Sequence, residues 1–232
     1  MKGTRLILRE VSKVFTLHLR DGLRLPVVNE VALALGAGEC VALSGPSGVG
    51  KSTILRMIYG NYRVDAGQIL VVDGDAIVDL ATIPPRSILA LRRTTIGYVS
   101  QFLRAVPRVP ALDIVVEPLR LRGVEPEEAR RRAGALLARL SIPERLWNVP
   151  PATFSGGEQQ RVNIARGLIA DFPILLLDEP TASLDAANCD VVATLIEEKR
   201  MAGAAILVIV HDPRIRARLA SREVDVAGFA AA

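Results

Sequence analysis

Hydrophobic and polar residues follow three different patterns along this chain. Near the start of the chain, the segments 4–11 and 15–28 contain alternating apolar residues around an Asp21-Gly22 pair. This pattern predicts strands in both segments and an antiparallel hairpin that turns at Asp21-Gly22. The same alternation predicts further short strands over 31–35, 40–44, 68–72 and 96–99. One helix is predicted over 51–59. The first part of the chain is therefore expected to be mainly β structure.

The rest of the chain is predicted to be helical at first and then to alternate. From Gln101 to about Arg166 the pattern is mostly helical, and Pro126 followed by two glutamates predicts a helix start. The final third predicts apolar strands over 174–177 and 204–210, separated by a helix over 187–201 and followed by a short helix. Wholly apolar strands are typical of a parallel sheet covered on both faces. The sequence thus predicts a single α/β unit with a mostly parallel sheet, an antiparallel β flank and an inserted helical segment.

Composition and charge exclude several classes of protein. The 232 residues are 50% hydrophobic and 23% charged, so the chain is able to bury a core. The net charge is only +4 and the longest basic run is Arg130–Arg132, which argues against a nucleic-acid binder. The longest apolar run, Ala204–Val210, is far shorter than the roughly 20 residues of a membrane-spanning helix. We expect a cytoplasmic protein with no membrane span of its own.

A phosphate-binding motif follows the predicted strand over 40–44. The residues from Gly45 to Ser52 are GPSGVGKS, a complete GxxxxGK[ST] pattern between a strand and a helix. Its glycines let backbone N–H groups surround phosphate oxygens, and the helix N-terminus favours anions. Lys51 is expected to reach the β- and γ-phosphates and Ser52 to coordinate Mg²⁺. The predicted nucleotide site comprises Gly45, Pro46, Ser47, Gly48, Val49, Gly50, Lys51, Ser52 and Thr53.

Four polar residues are expected at the same ends of neighbouring parallel strands. Asp178 ends an apolar strand and is predicted to hold Mg²⁺, while the adjacent Glu179 is predicted to polarise the attacking water. His211 follows the next strand, a placement that favours a γ-phosphate sensor. Gln101 follows the strand over 96–99 and is predicted to contact Mg²⁺ and the water. Taken alone, each would be an ordinary turn or loop residue, and the phosphate-binding motif makes the catalytic interpretation stronger.

A second glycine-containing helix start, SGGEQQR from Ser155 to Arg161, is either another anion-binding N-terminus or simply a flexible one. With the motifs above, LLLDEP and Ser183-Leu184-Asp185, it makes the chain resemble the ATP-binding cassette (ABC) ATPases over nearly its whole length. The resemblance implies ATP hydrolysis with Mg²⁺ by a P-loop NTPase (RecA-like) core. It also implies one domain over 1–232, whose parts are an antiparallel β flank at about 1–35 and 67–80, a helical insertion at about 102–165 and the core.

The resemblance further implies a head-to-tail dimer that encloses two ATP molecules. Each ATP would meet the phosphate loop of one chain and the Ser155, Gly156, Gly157 and Glu158 segment of the other, with Asp185 at the seam. The partner would be a second copy or a second ABC ATPase. Phe15 lies where the family stacks an aromatic ring on adenine, and phenylalanine keeps that π-face.

Three biological roles remain open. Segments over 96–112, 142–147 and 151–167 resemble the accessory ATP-binding protein of the bacterial phosphonate carbon–phosphorus lyase system. That resemblance implies a lyase core complex as partner and support for the step that forms ribose 1-alkylphosphonate 5-triphosphate. The alternative is the nucleotide-binding subunit of an ABC transporter of the lipoprotein-release or macrolide-export type. The third is a nucleotide-dependent scaffold that does not hydrolyse ATP.

Overall fold

The computed structural model describes residues 3–17, 19, 21–103 and 107–230. Its strands form a four-stranded antiparallel sheet and a five-stranded parallel sheet. In chain order the strands are β1 (Thr4–Leu17), β2 (Leu23–Gly36), β3 (Cys40–Ser44), β4 (Ala66–Asp73), β5 (Ala76–Asp79), β6 (Ile96–Val99), β7 (Ile174–Asp178), β8 (Ala205–Ile209) and β9 (Arg222–Asp225). The helices are α1 (Lys51–Ile58), α2 (Pro85–Thr94), α3 (Ala111–Arg120), α4 (Pro126–Arg139), α5 (Gly156–Leu168), α6 (Ala186–Met201) and α7 (Pro213–Leu219). The α/β fold expected from the sequence is confirmed.

The parallel sheet has the strand order β6-β7-β8-β3-β9, with β7 and β8 at its buried centre. Side chains along β7 alternate between two hydrophobic clusters, as the period of a strand requires. Leu175 and Leu177 pack with the helical side, whereas Ile174 and Leu176 pack with α1 and the antiparallel sheet. The wholly apolar sequence of β7 therefore reflects burial on both faces.

The antiparallel sheet, in the order β2-β1-β4-β5, is more continuous than the sequence predicts. Separate strands were expected over 4–11, 15–28 and 31–35, but the structure has two paired strands of 14 residues each. The reason is local: Glu10 and Glu30 adopt positive φ angles of 52° and 51° at register shifts, so the pairing bends without ending. Asp21 and Gly22 lie in the connecting turn, as predicted.

Helix starts follow the capping residues in the sequence. Pro126 is the first residue of α4, and the preceding Glu125 carboxylate accepts a hydrogen bond from the backbone N–H of Glu128 at 3.0 Å. Asp212 caps α7 by accepting from the N–H of Arg214 at 2.8 Å. In contrast, β5, α2 and β9 were not predicted, because each is short and carries charged or exposed residues that weaken the periodic signal.

The helices α3, α4 and α5 pack together on one side of the parallel sheet. α3 contacts both α4 and α5, and α5 also packs against β6. Gly167 permits that last contact, since a Cβ there would lie 2.3 Å from a methyl carbon of Val99. Within the described ranges, the helices are all too short or too polar to cross a membrane.

Candidate functional site

The phosphate loop connects the end of β3 to the start of α1. Gly45, Gly48 and Gly50 have φ angles of 121°, 84° and 107°, which non-glycine residues rarely adopt. At Gly50 a side chain is also excluded by space, because a Cβ would lie 2.6 Å from a methyl carbon of Val28. The buried Lys51 Nζ donates to the carbonyl oxygens of Gly45 at 2.7 Å and Pro46 at 2.8 Å. The lysine charge is thus held inside the curve of the loop.

The other predicted loop residues fill the same turn. The N–H of Val49 donates to the carbonyl of Pro46 at 3.4 Å, while Ser47 lies exposed in the loop and Thr53 in the first turn of α1. These positions are compatible with a phosphate site formed mainly by backbone N–H groups.

Asp178, at the end of β7, lies beside the first turn of α1. Its side chain is fully buried, and its Oδ1 atom accepts a hydrogen bond from Ser52 Oγ at 2.9 Å. Burial in the apolar interior raises the pKa of this carboxyl, while the Ser52 and Tyr98 hydrogen bonds oppose the shift. The structure therefore brings together two of the three residues predicted to hold Mg²⁺, Ser52 and Asp178, at one point beside the phosphate loop.

The Ser52–Asp178 pair fits Mg²⁺ as a resident ion. Hydroxyl and carboxylate oxygens are the ligands that Mg²⁺ prefers, and it is usually held by one or two carboxylates together with substrate phosphates. Over the described ranges of the chain, His, Cys, Asp and Glu form no cluster of three or more that would make a closed metal cage. Gln101, the third predicted metal residue, has its side-chain amide on Glu179 instead of on this pair.

Glu179 is held between the other two predicted catalytic residues. Its Oε2 accepts from Gln101 Nε2 at 3.2 Å, and its Oε1 lies 2.9 Å from His211 Nε2. The residue has a positive φ of 52°, and its N–H donates to the carbonyl of Ile209 at 3.0 Å. That turn separates its side chain from the buried environment of Asp178, and the Glu179 side chain is 22% exposed. A carboxylate fixed at both oxygens and open to solvent is able to orient a water molecule and accept its proton.

The SGGEQQR segment forms the N-terminus of α5 as a complete capping box. Ser155 Oγ accepts from the N–H of Glu158 at 3.3 Å, and the Glu158 carboxylate accepts from the N–H of Ser155 at 2.9 Å. The Ser155 hydroxyl also donates to Glu158 Oε2 at 2.7 Å, and this bond together with the one from the Ser155 N–H lowers the pKa of the Glu158 carboxyl. A Cβ at Gly157 would lie 3.0 Å from the carbonyl oxygen of Ser183, whereas one at Gly156 would meet no atom within 4 Å. Packing within the chain thus accounts for Gly157 and does not account for Gly156.

Phe15 and Asp185 have additional structural partners. The Phe15 ring makes an edge-to-face contact with Tyr62 at 5.1 Å between centroids, and Lys13 Nζ lies 5.2 Å from its centre. Asp185 caps α6, accepting from the N–H of Asn188 at 2.8 Å, and this bond lowers the pKa of its carboxyl. Both positions are compatible with the predicted contacts to nucleotide and partner, which stay predictions.

Three side chains that the sequence analysis did not single out connect the site. Tyr98 on β6 donates its hydroxyl to Asp178 Oδ2 at 3.1 Å. On α5, the buried Gln160 amide donates to the carbonyl of Glu179 at 3.4 Å, and the buried Asn163 amide donates to the carbonyl of Ser100 at 2.5 Å. A signal was present for α5, because amides at spacing three lie on one helix face.

The comparisons with known proteins agree with one another on the family. The family model described as "ABC transporter" matches residues 28–182. The chain is 41% identical over 211 residues to the lipoprotein-releasing system ATP-binding protein LolD of Maricaulis maris, covering 90% of both chains. It is 36% identical over 210 residues to the macrolide export ATP-binding/permease protein MacB 1/2 of Paracoccus denitrificans, covering 88% of this chain and 30% of that protein.

A solved structure adds a dimeric relative. The fold superposes with a TM-score of 0.85 and 29% identity on a dimeric post-hydrolysis state of the ATP-binding cassette MJ0796 bound to ADP and Pi. The match covers 96% of this chain and 95% of that one.

Proposed function

We propose a role in transport for this chain. The chain belongs to the ABC transporter family and is an ATPase of that family. Specifically, we propose that it is the nucleotide-binding subunit of a transporter of the lipoprotein-release or macrolide-export type. The observation that carries this proposal is the 41% identity to a lipoprotein-releasing ATP-binding protein over 90% of both chains. The macrolide export relative gives weaker support, because the chain spans only 30% of its length.

The relatives favour the transporter over the other two expected roles. The relatives above are a lipoprotein-releasing and a macrolide-export protein, so the phosphonate carbon–phosphorus lyase role finds no support in them. A scaffold that does not hydrolyse ATP is disfavoured because the family is one of ATPases. The lyase core complex is therefore kept only as the partner whose recovery would overturn the transporter proposal.

A cleft beside the catalytic strands supports docking of a permease segment. The cleft has a volume of about 710 Å³ and runs between α2 and β6 on one side and α3 and α5 on the other. Its rim carries exposed Leu89, Phe102 and Leu121, and its wall carries Arg92 and Arg93. Across the described residues, neither arginine is paired with a carboxylate. An acidic cytoplasmic segment with apolar side chains would complement both features.

In this proposal the polar residues at the strand ends have separate roles in ATP hydrolysis. Lys51 and the loop N–H groups bind the phosphates of ATP. Ser52 and Asp178 would hold Mg²⁺, and the ion would supply positive charge beside the phosphates. Glu179 accepts a proton from the attacking water, while Gln101 and His211 keep its carboxylate in place. His211 is also the residue next to the γ-phosphate in this proposal.

A second cassette would complete the nucleotide site. Gly156 faces open space at the start of α5, where the positive end of the helix dipole favours an anion. We propose that this segment meets the ATP held by the phosphate loop of a partner cassette, as a homodimer or with a second ABC ATPase. The dimeric state of the MJ0796 cassette supports this arrangement.

The transporter proposal is tested by identifying the partner. A tagged chain is cross-linked in cells grown with and without phosphate, and proteins recovered from detergent extracts are compared between the wild type and the variant Arg93→Glu. Arg92 is left in place because its guanidinium donates to the carbonyl of Tyr59 and to the Asn61 side chain, both at 2.8 Å. Recovery of a membrane permease that is lost with the variant supports the proposal. Recovery of soluble phosphonate lyase subunits in place of a permease overturns it.

A further inference from the structure

Tyr98 lies where two neighbouring strands bring a hydroxyl next to a buried carboxylate. In the parallel register, Tyr98 on β6 pairs with Leu176 on β7, so Asp178 is the next residue of β7 on the same face. A diagonal neighbour at this separation is within reach of an aromatic side chain. The ring itself packs against Tyr59 at 4.9 Å between centroids.

The hydroxyl of Tyr98 completes the hydrogen bonding of Asp178. Ser52 Oγ donates to Oδ1 at 2.9 Å, and Tyr98 donates to Oδ2 at 3.1 Å, so each carboxylate oxygen has one hydroxyl donor. Two donors on opposite oxygens fix both the position and the rotation of the carboxylate plane. Packing of the ring against Tyr59 does not require the hydroxyl, because a phenylalanine would present the same ring.

We propose that Tyr98 is a positioning residue for the Mg²⁺ site, whose hydroxyl holds Asp178 in the orientation that binds the ion. The proposal rests on the proposed role of Asp178 and assigns to β6 a contribution to metal affinity. Removing the hydrogen-bond partner of a ligating side chain typically weakens metal binding by 10–100-fold. The effect is expected on the metal and not on the nucleotide, because among the described residues Tyr98 forms no hydrogen bond to the phosphate loop or to Glu179.

The test compares binding of N-methylanthraniloyl-ATP in EDTA and in excess Mg²⁺. The dissociation constant in EDTA divided by that in Mg²⁺ measures how much bound Mg²⁺ strengthens nucleotide binding. In Tyr98→Phe we expect this ratio to fall about tenfold, with the dissociation constant in EDTA unchanged. Tyr59→Phe is the matched control, since it removes one hydroxyl from the same aromatic pair without touching Asp178, and its ratio should equal that of the wild type.

Asp178→Asn, measured in parallel, separates the possible failures. If Asp178→Asn lowers the ratio and Tyr98→Phe does not, Asp178 keeps its role and the proposal for Tyr98 is wrong. If Asp178→Asn leaves the ratio unchanged, the metal site itself is wrong and the proposal falls with it. A weaker dissociation constant in EDTA for Tyr98→Phe would show a general structural role, which also overturns the proposal.

Discussion

The two glycine-containing segments of this chain differ in how far their surroundings are filled. Around the phosphate loop, Lys51, Ser52 and Asp178 already have partners, and Gly50 is glycine because Val28 leaves no room for a side chain. At the start of α5, the capping box is complete but Gly156 faces open space. The first segment is filled by contacts within the chain, whereas contacts within the described residues do not account for Gly156, which in our proposal meets a second cassette.

Replacing Glu179 is expected to have the largest effect, because it removes the proposed base beside the phosphate loop. Glu179→Gln keeps the side-chain shape but removes the base, so turnover should fall by about 10²–10⁴-fold while ATP binding persists. Steady-state phosphate release and nucleotide binding measure the two effects separately. Glu197→Gln, a surface residue paired with Arg218, is the matched control and should leave turnover unchanged. Equal turnover in both variants would remove Glu179 from the mechanism.

Removing the buried lysine tests how much Lys51 contributes to ATP affinity. Lys51→Ala deletes charge-assisted hydrogen bonds worth about 3 kcal/mol in total, so the ATP dissociation constant should rise roughly 100-fold. Isothermal titration with ATP measures this change. Lys199→Ala, which loses an ion pair with Asp171 and a hydrogen bond to the carbonyl of Ala170, should bind ATP as the wild type does. An unchanged affinity in Lys51→Ala would contradict the assignment of the phosphate loop.

Substitutions at the two glycines that begin α5, Gly156 and Gly157, test whether the open space has a function. Gly156→Ala adds a methyl group into open space, so the free energy of unfolding should change by less than about 1 kcal/mol, in the direction of greater stability. Its ATP-dependent dimerisation should nevertheless weaken at least tenfold (about 1.4 kcal/mol), because the methyl group would occupy the space of the partner's nucleotide.

Gly157→Ala provides the contrast within the same turn. Its methyl group would press on the Ser183 carbonyl at 3.0 Å, so the isolated chain should lose about 1 kcal/mol or more of stability. Urea unfolding and light scattering with ATP distinguish the two variants. If Gly156→Ala dimerised as the wild type does, the open space at this position would have no functional meaning.

The hydrogen bonds between α5 and the catalytic strands predict a loss of stability together with a secondary effect on turnover. Asn163→Ala would leave the carbonyl of Ser100 without its amide donor, next to Gln101. We expect a loss of about 1–3 kcal/mol in unfolding free energy and a reduced turnover, as Gln101 loses its support. Asn148→Ala, at an exposed position, is the control and should unfold as the wild type does. Unaltered stability in Asn163→Ala would show that the amide is not needed.

Much of the core of the fold was predictable from the sequence, because periodicity and capping operate locally. β3, β6 and α4 begin where apolar runs or proline predict, and all are long or buried enough to give a clear signal. The two long strands of the antiparallel sheet were divided in the prediction because the bulges at Glu10 and Glu30 interrupt alternation without ending the pairing.

The candidate site was predictable where a motif has a fixed spacing and not where it depends on packing. The phosphate loop, Asp178, Glu179 and His211 lie at strand ends, as expected from a parallel sheet. Tyr98 was missed because its contact with Asp178 depends on the register between β6 and β7. The contact of Gln101 with Mg²⁺ stays a prediction, and in the structure its amide donates to Glu179.

In our proposal the ATP of a second cassette contacts the start of α5, at Gly156. The most direct test is the molar mass of Glu179→Gln in solution, measured by light scattering with and without ATP and Mg²⁺. We predict that ATP converts it to a species of twice the chain mass, and that adding Gly156→Ala prevents the conversion. A mass that stays at that of one chain, or a dimer that Gly156→Ala leaves intact, would contradict the account.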